Sequence, residues 1–177
     1  IVVIGVSGAG KSTLGEALSK ALGWQFVEGD DFHPAANIAK MSSGVALDDG
    51  DRMPWLKAIH QHLLELHAQG QHAVLACSAL KHSYRKLISD GLPDIRFIYL
   101  CGDPELIRQR LASRDNHFMP SKLLDSQIAT LEPPQDAILI PLDLDTDQQV
   151  AEVIRLLQPE HADMNKLRAQ TLVSGLA

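Results

Sequence analysis

The chain is short of several features that would narrow its function early. It has two cysteines in 177 residues, Cys77 and Cys101, and each closes an apolar run. Two thiols cannot build a disulfide framework, so both are expected as buried, reduced side chains. Aromatic residues make up 5% of the chain, which leaves little for an aromatic pocket around a nucleobase substrate. Positive charge is in deficit: the net charge is -6, which argues against a general nucleic-acid binder. No apolar run approaches the roughly 20 residues that cross a bilayer, so no membrane partner is expected. Histidines number eight, yet the four that come close together, His60, His62, His67 and His72, have no carboxylate or cysteine at a familiar ligand spacing. They are expected on a solvated helix face. The chain opens at Ile1 rather than at a methionine, which leads to the expectation of a preceding segment, a removed targeting peptide included.

What is present is ordinary globular material, 45% hydrophobic and 21% charged, in a length that suits one domain over residues 1–177. Apolar runs alternate with helical patterns. Strands are expected at 1–4, 24–30, 73–78, 95–101 and 137–143, and helices at 11–23, 54–70, 82–91, 103–114 and 147–157. Gly23 stops the first helix, and Asp103 with Pro104 is a cap followed by a first-turn proline. The alternation predicts an α/β fold with a five-stranded parallel sheet and helices on both faces. Ligands then gather at the carboxyl ends of the strands. Residues 29–54, polar and rich in Asp, and residues 114–136, charged and broken by prolines, depart from the alternation. They are expected to be an acceptor-binding segment and a mobile lid. Residues 159–177 form a tail beyond the last helix pattern.

The run "IVVIGVSGAGKST" carries the strongest chemical signal. Gly5, Gly8, Gly10, Lys11 and Ser12 match G-x-x-x-x-G-K-[ST], between a strand and a helix as that loop requires. With Val6, Ser7, Ala9 and Thr13 they form a loop whose backbone N–H groups point at phosphate oxygens. Lys11 supplies charge to the β- and γ-phosphates of ATP, Ser12 ligates Mg²⁺, and the helix N-terminus adds its own positive end. A GTPase would need N-K-x-D after a strand. "NKLR" at 165–168 ends in Arg and lies in the tail, so a small kinase is the leading class.

"FVEGDDFH" follows the second strand. An Asp there can accept the proton of an attacking hydroxyl and hold it in line with the γ-phosphate. Asp30 is the first choice, Asp31 its rival, and Glu28 is placed to hold a Mg²⁺-bound water.

The segments "GDDFHPAANIAKMSSGVALDDGDRMPWL", "CSALKHSYRKLI", "FIYLCGD" and "RLASRDNHFMPSKLLDSQIATLEPP", with the loop, resemble the gluconate kinase family of small P-loop carbohydrate kinases over roughly residues 1–157. H-P-x-x-N-x-x-K-M, D-R-x-P-W-L and C-S-A-L-K-x-x-Y-R are the specific parts. The resemblance implies a three-layer P-loop kinase fold with a lid. It also implies transfer of the ATP γ-phosphoryl group to the 6-hydroxyl of D-gluconate, and a cytoplasmic homodimer. Gluconate offers a carboxylate and a row of hydroxyls. Arg52 and Arg85 are the expected carboxylate grips. His33, Lys40, Asp51, Lys81 and Tyr84 are expected polyol contacts, and Ser78 lies where acceptor and γ-phosphate meet. Pro54 and Trp55 are expected to anchor a helix start.

Arg110 and Arg114 are four apart and share a helix face. The resemblance implies that Arg110 borders the adenine, beside the turn at 143–150, and that Arg114 stabilises the transferring phosphoryl group as catalytic residue with Asp30 and Lys11. Phe118 and Met119 are expected lid contacts, and Lys122 is within possible reach of phosphate. An idonate- or shikimate-like acceptor is the nearest alternative, although "CSALK" stands where a shikimate kinase has a glycine-rich loop. A non-catalytic nucleotide-binding module is the other, and it would need neither Asp30 nor the lid arginines.

Overall fold

The computed structural model describes residues 1–112 and 121–158, with backbone alone at 121 and 122. Five strands, β1 (Val2–Ile4), β2 (Gln25–Glu28), β3 (Ala73–Ala76), β4 (Phe97–Cys101) and β5 (Ile138–Pro141), form one parallel sheet in the order β2-β3-β1-β4-β5. The helices are α1 (Lys11–Leu22), α2 (Ala35–Ser42), α3 (Asp49–Ala68), α4 (His82–Ser89), α5 (Pro104–Ala112), α6 (Ser121–Thr130) and α7 (Thr146–Leu157).

β1 shows why the strands read as continuous apolar runs. Val2, Val3 and Ile4 are each no more than 1% exposed. Successive side chains point to opposite faces, so Val3 joins one core with Leu14, Leu18, Ile107 and Val153, while Val2 and Ile4 join another with Trp55, Leu56 and Ile88. Helices α1, α5, α6 and α7 cover the first face, and α3 and α4 the second. This is the three-layer arrangement that the alternation predicts.

Two helices were not expected in residues 29–54 and 114–136. α2 and the first turn of α3 fall in the former, and α6 in the latter. α3 starts at Asp49, not at Pro54, because Asp48 and Asp51 form a reciprocal capping box. Pro54 therefore lies inside the helix, and Asp51 is spent on the cap and on Lys40. The expected cap at α5 is present: Asp103 Oδ1 accepts from the Glu105 N–H at 2.8 Å.

Both cysteines are free thiols. Burial pushes the Cys77 thiol up to about 12, so it packs as a small apolar group.

Candidate active site

The sheet order explains how distant segments meet. β2, β3 and β1 are neighbours, so their carboxyl ends deliver Asp30, Ser78 and the glycine loop to one place. The Gly5 N–H donates to the Ser78 carbonyl at 3.4 Å and joins two of these ends directly.

The loop is shaped for an anion. Gly5, Gly8 and Gly10 have φ of 144°, 83° and 97°, all in the region that side chains disfavour. α1 begins at Lys11 with no side-chain cap and no acid in its first turn. Its positive end and orphan N–H groups therefore await a ligand's charge. Lys11 Nζ donates to the Val6 carbonyl at 3.2 Å, folded over the loop it serves. Gly8 has a second constraint: an added Cβ would stand 2.6 Å from Leu111 Cγ of α5. Gly8→Ala is expected to destabilise the fold by about 2–4 kcal/mol, from left-handed strain and overpacking together. A urea melt and an ATP titration check this, and a fully stable variant with wild-type ATP affinity would remove the loop argument.

Ser12 Oγ donates to Glu28 Oε2 at 2.6 Å. A hydroxyl beside a carboxylate at the mouth of a phosphate loop is the oxygen donor set that Mg²⁺ takes together with phosphate oxygens and water. Arg110 Nη2 donates to the Leu142 carbonyl, just before the turn expected to border the adenine. Arg114, Phe118 and Met119 lie outside the described residues, as does the Lys122 side chain.

A cavity opens beside the loop. Ser7 and Lys11 form its donor side, and Asp30, His33 and Ser78 rise from β2 and β3. Arg52 and Trp55 of α3 close another side. Trp55 is 2% exposed, and its Nε1 donates to the Gly29 carbonyl at 2.7 Å. That bond pins the single 3-10 turn Gly29–Phe32, which carries Asp30. His33 stacks on Trp55 with ring centres 4.2 Å apart, its Nδ1 is 3.3 Å from Asn37 Nδ2, and its Nε2 is 3.9 Å from Asp30 Oδ1. Burial pulls the His33 pKa down; Asp30 opposes that and Arg52 adds to it. Asp31 is exposed and is not among the cavity-lining residues.

Arg52 is 8% exposed and borders the cavity. Its Nη1 donates to Tyr84 Oη at 3.4 Å, and no carboxylate lies within ion-pair distance of it among the described residues. A buried guanidinium facing a cavity without an acid of its own is suited to an incoming anion.

Four expected acceptor contacts are engaged elsewhere, and none lines the cavity. Lys40 pairs with Asp51, and with Asp48 at 3.5 Å. Lys81 Nζ donates to both Asp49 oxygens at 2.8 Å. Tyr84 gives its hydroxyl proton to Asp49 and receives the Arg52 bond, so its hydroxyl orients Arg52. The cause is the acidic first turn of α3, where carboxylates favour the helix N-terminus and draw in these cations.

Arg85 is corrected more sharply. It is 5% exposed, and its Nη1 donates to the carbonyls of Ala79 and Leu80 at 3.0 Å each. Its Nη2 donates to the Glu132 carbonyl at 2.9 Å. Ala79 has φ of 38°, a left-handed backbone for a residue with a Cβ. Arg85 thus holds the strained loop that presents Ser78 and is not among the cavity-lining residues. Arg85→Met is expected to lower the unfolding free energy by about 2–4 kcal/mol, since three carbonyls lose their donor. A thermal or urea melt tests it. Unchanged stability with a raised acceptor KM would restore the carboxylate grip.

Leu123, Ser126 and Gln127 of α6 also line the cavity, and sequence reasoning missed them. Leu124 is 1% exposed, and the Glu132 N–H donates to the Leu80 carbonyl at 2.9 Å. Residues 121–132, within the segment expected as the lid, therefore pack against the body through a helix and this backbone bond. One signal was available: Gln127 lies four after buried Leu123 and so shares its helix face.

A family model described as an AAA domain matches residues 1–134. A gluconokinase from Gluconobacter oxydans is 47% identical over 164 residues, covering 90% of this chain and 92% of its own. The solved structure of a gluconokinase from Sinorhizobium meliloti 1021 is 41% identical with a TM-score of 0.78, covering 88% of this chain and 91% of its own. An unliganded sugar kinase from a Janibacter species is 37% identical with a TM-score of 0.85, over 91% of this chain and 95% of its own.

Proposed function

The chain belongs to the gluconokinase family, and on that premise we propose that its cavity takes D-gluconate with the carboxylate toward Arg52 and the 6-hydroxyl toward Asp30 and Lys11. The reaction is ATP-dependent phosphorylation of D-gluconate, giving 6-phospho-D-gluconate and ADP. The observation that carries the acceptor reading is Arg52, a buried cation at the cavity wall with no carboxylate partner among the described residues.

Asp30 is the base in this reading. It takes the hydroxyl proton as the substrate oxygen bonds the γ-phosphorus, and the bond from that phosphorus to the bridging oxygen breaks to release ADP. Lys11 and the α1 N-terminus hold the phosphates through charge and N–H groups. Ser12, with Glu28 behind it, would hold Mg²⁺, which when bound neutralises charge on the β- and γ-phosphates. His33, stacked on Trp55, offers a ring nitrogen to a polyol hydroxyl, and Ser78 offers its hydroxyl. Arg110 borders the adenine. Arg114, from the lid between α5 and α6, adds positive charge to the transferring group. On the resemblance of the chain to its family, the enzyme is read as a cytoplasmic homodimer. No described helix is long and apolar enough to cross a membrane.

A coupled ADP-release assay across gluconate, idonate, shikimate and simple nucleosides tests the acceptor. Gluconate is expected to be turned over fastest, with phosphorus NMR placing the phosphate on the terminal hydroxyl. Turnover of another acceptor while gluconate stays inert would overturn the reading.

A further inference from the structure

We propose that Gln127 is an acceptor-positioning residue that ties the phosphate loop to the sugar-acid cavity, an inference that rests on the gluconate reading above. The Ser7 N–H donates to Gln127 Oε1 at 2.7 Å, a contact that spans 120 positions of sequence. The same side chain lines the cavity together with Lys11, Asp30, Arg52 and Ser126. Gln127 therefore belongs to both halves of the site.

The chemistry of the amide fixes which group the acceptor meets. A backbone N–H can only donate, so the carboxamide oxygen must turn to Ser7 and the nitrogen must turn away from it. That nitrogen carries two donors, is bonded to no other described residue and is accessible rather than buried. The cavity's other polar groups are a carboxylate at Asp30, cations at Arg52 and Lys11, the His33 ring and the serines Ser7, Ser78 and Ser126. The carboxamide adds two neutral donors in a fixed plane, which can bond a polyol hydroxyl without adding charge beside the phosphates. A second lysine or arginine at this place would compete for the γ-phosphate.

The position of Gln127 is set by α6. Leu124 anchors the helix in the core, and Leu123, one turn before Gln127, is 5% exposed. At its trailing end Glu132 accepts from Arg85 and donates to Leu80, the same loop that presents Ser78. Gln127 is thus held against the β1 loop by its own bond and against the β3 loop through α6. A side chain so registered fixes the distance between acceptor and phosphates, which is what a transfer in line requires.

Two replacements separate this role from that of a strut. Gln127→Met keeps the shape and loses every polar contact. Gln127→Glu keeps an acceptor for the Ser7 N–H but loses the donors and adds a charge facing an anionic substrate. Gln127→Met is expected to raise the gluconate KM about tenfold while the ATP Kd, measured without acceptor, moves less than about threefold. Gln127→Glu is expected to melt near wild type and to raise the gluconate KM at least as far. A wild-type gluconate KM in Gln127→Glu, or equal losses of ATP and gluconate in Gln127→Met, would overturn the proposal. Wild-type enzyme is assayed alongside. If it ignores gluconate the acceptor reading fails by itself, and the same pair of variants measured with the acceptor it does use still decides the role of Gln127.

Discussion

Asp30→Asn is expected to lower kcat with gluconate by about a hundredfold to ten-thousandfold and to leave the ATP Kd within about twofold. Asn keeps the size of Asp and an oxygen that can orient a hydroxyl, but it cannot take the proton. The loss should therefore fall on the chemical step. Stability should hold, because the Asp30 side chain is 76% exposed and its contact with the buried His33 ring is a long 3.9 Å. The turn beneath it is held by other atoms: the Trp55 bond to the Gly29 carbonyl and the Glu28 carboxylate, which accepts from the Asp30 N–H at 3.4 Å. Asp31→Asn is the control. Asp31 is exposed and does not line the cavity, so its variant should retain nearly full turnover. The reverse pattern, with Asp31→Asn dead and Asp30→Asn active, would move the base by one residue. A non-catalytic nucleotide module would show no transfer in any variant or in wild type.

The donor half of this site was legible in the sequence because its chemistry is local. A phosphate loop needs glycines at fixed offsets, a lysine and a hydroxyl, all within nine residues of one strand end, and no distant partner alters that requirement. The sheet was legible for a related reason. A strand buried on both faces has no polar side to keep, so Val2, Val3 and Ile4 form an unbroken apolar run. The order of strands was not written in any run. It decides that β2, β3 and β1 place Asp30, Ser78 and the loop together.

The acceptor half was legible only as a set of residue types. Arg52 and Arg85 look alike in sequence: each is an arginine in a recognisable motif, and both are buried. The difference is whether the protein itself uses the charge. Three carbonyls claim Arg85, whereas among the described residues the Arg52 guanidinium donates to the Tyr84 oxygen alone. The partners of Lys40 and Lys81 were hidden for the same reason, since the acids that hold them belong to a helix turn whose start depends on a capping box and not on Pro54. α6 was missed because its short apolar pattern sits between a Met-Pro turn and a Pro-Pro pair, punctuation that otherwise marks a loop. Tertiary packing, through Leu124 and the Glu132 contacts, decides the matter there.

The unclaimed charge on Arg52 leads to the second large effect. Arg52→Met is expected to raise the gluconate KM by about a hundredfold, the loss of a charge-assisted, two-pronged contact in a partly dry cavity. Arg52→Lys should fall between, at about tenfold, because a point charge on a shorter stem cannot match the carboxylate's two oxygens. The ATP Kd should stay near wild type in both, since the phosphates are held by the loop on the other side of the cavity. Stability should move the other way from activity. A buried guanidinium with no acid partner among the described residues is costly before an acceptor binds, so Met in its place should leave the melting temperature unchanged or raise it. That opposition of signs separates Arg52 from Arg85, whose replacement should destabilise the fold first. It also predicts a change in selectivity. A neutral six-carbon polyol lacking the carboxylate should be a poor acceptor for wild type, and Arg52→Met should narrow the gap between it and gluconate by lowering the rate with gluconate. Steady-state kinetics with both acceptors and a thermal melt measure all of this together. An Arg52→Met enzyme that keeps both its gluconate KM and its preference for the acid would place the carboxylate elsewhere in the cavity.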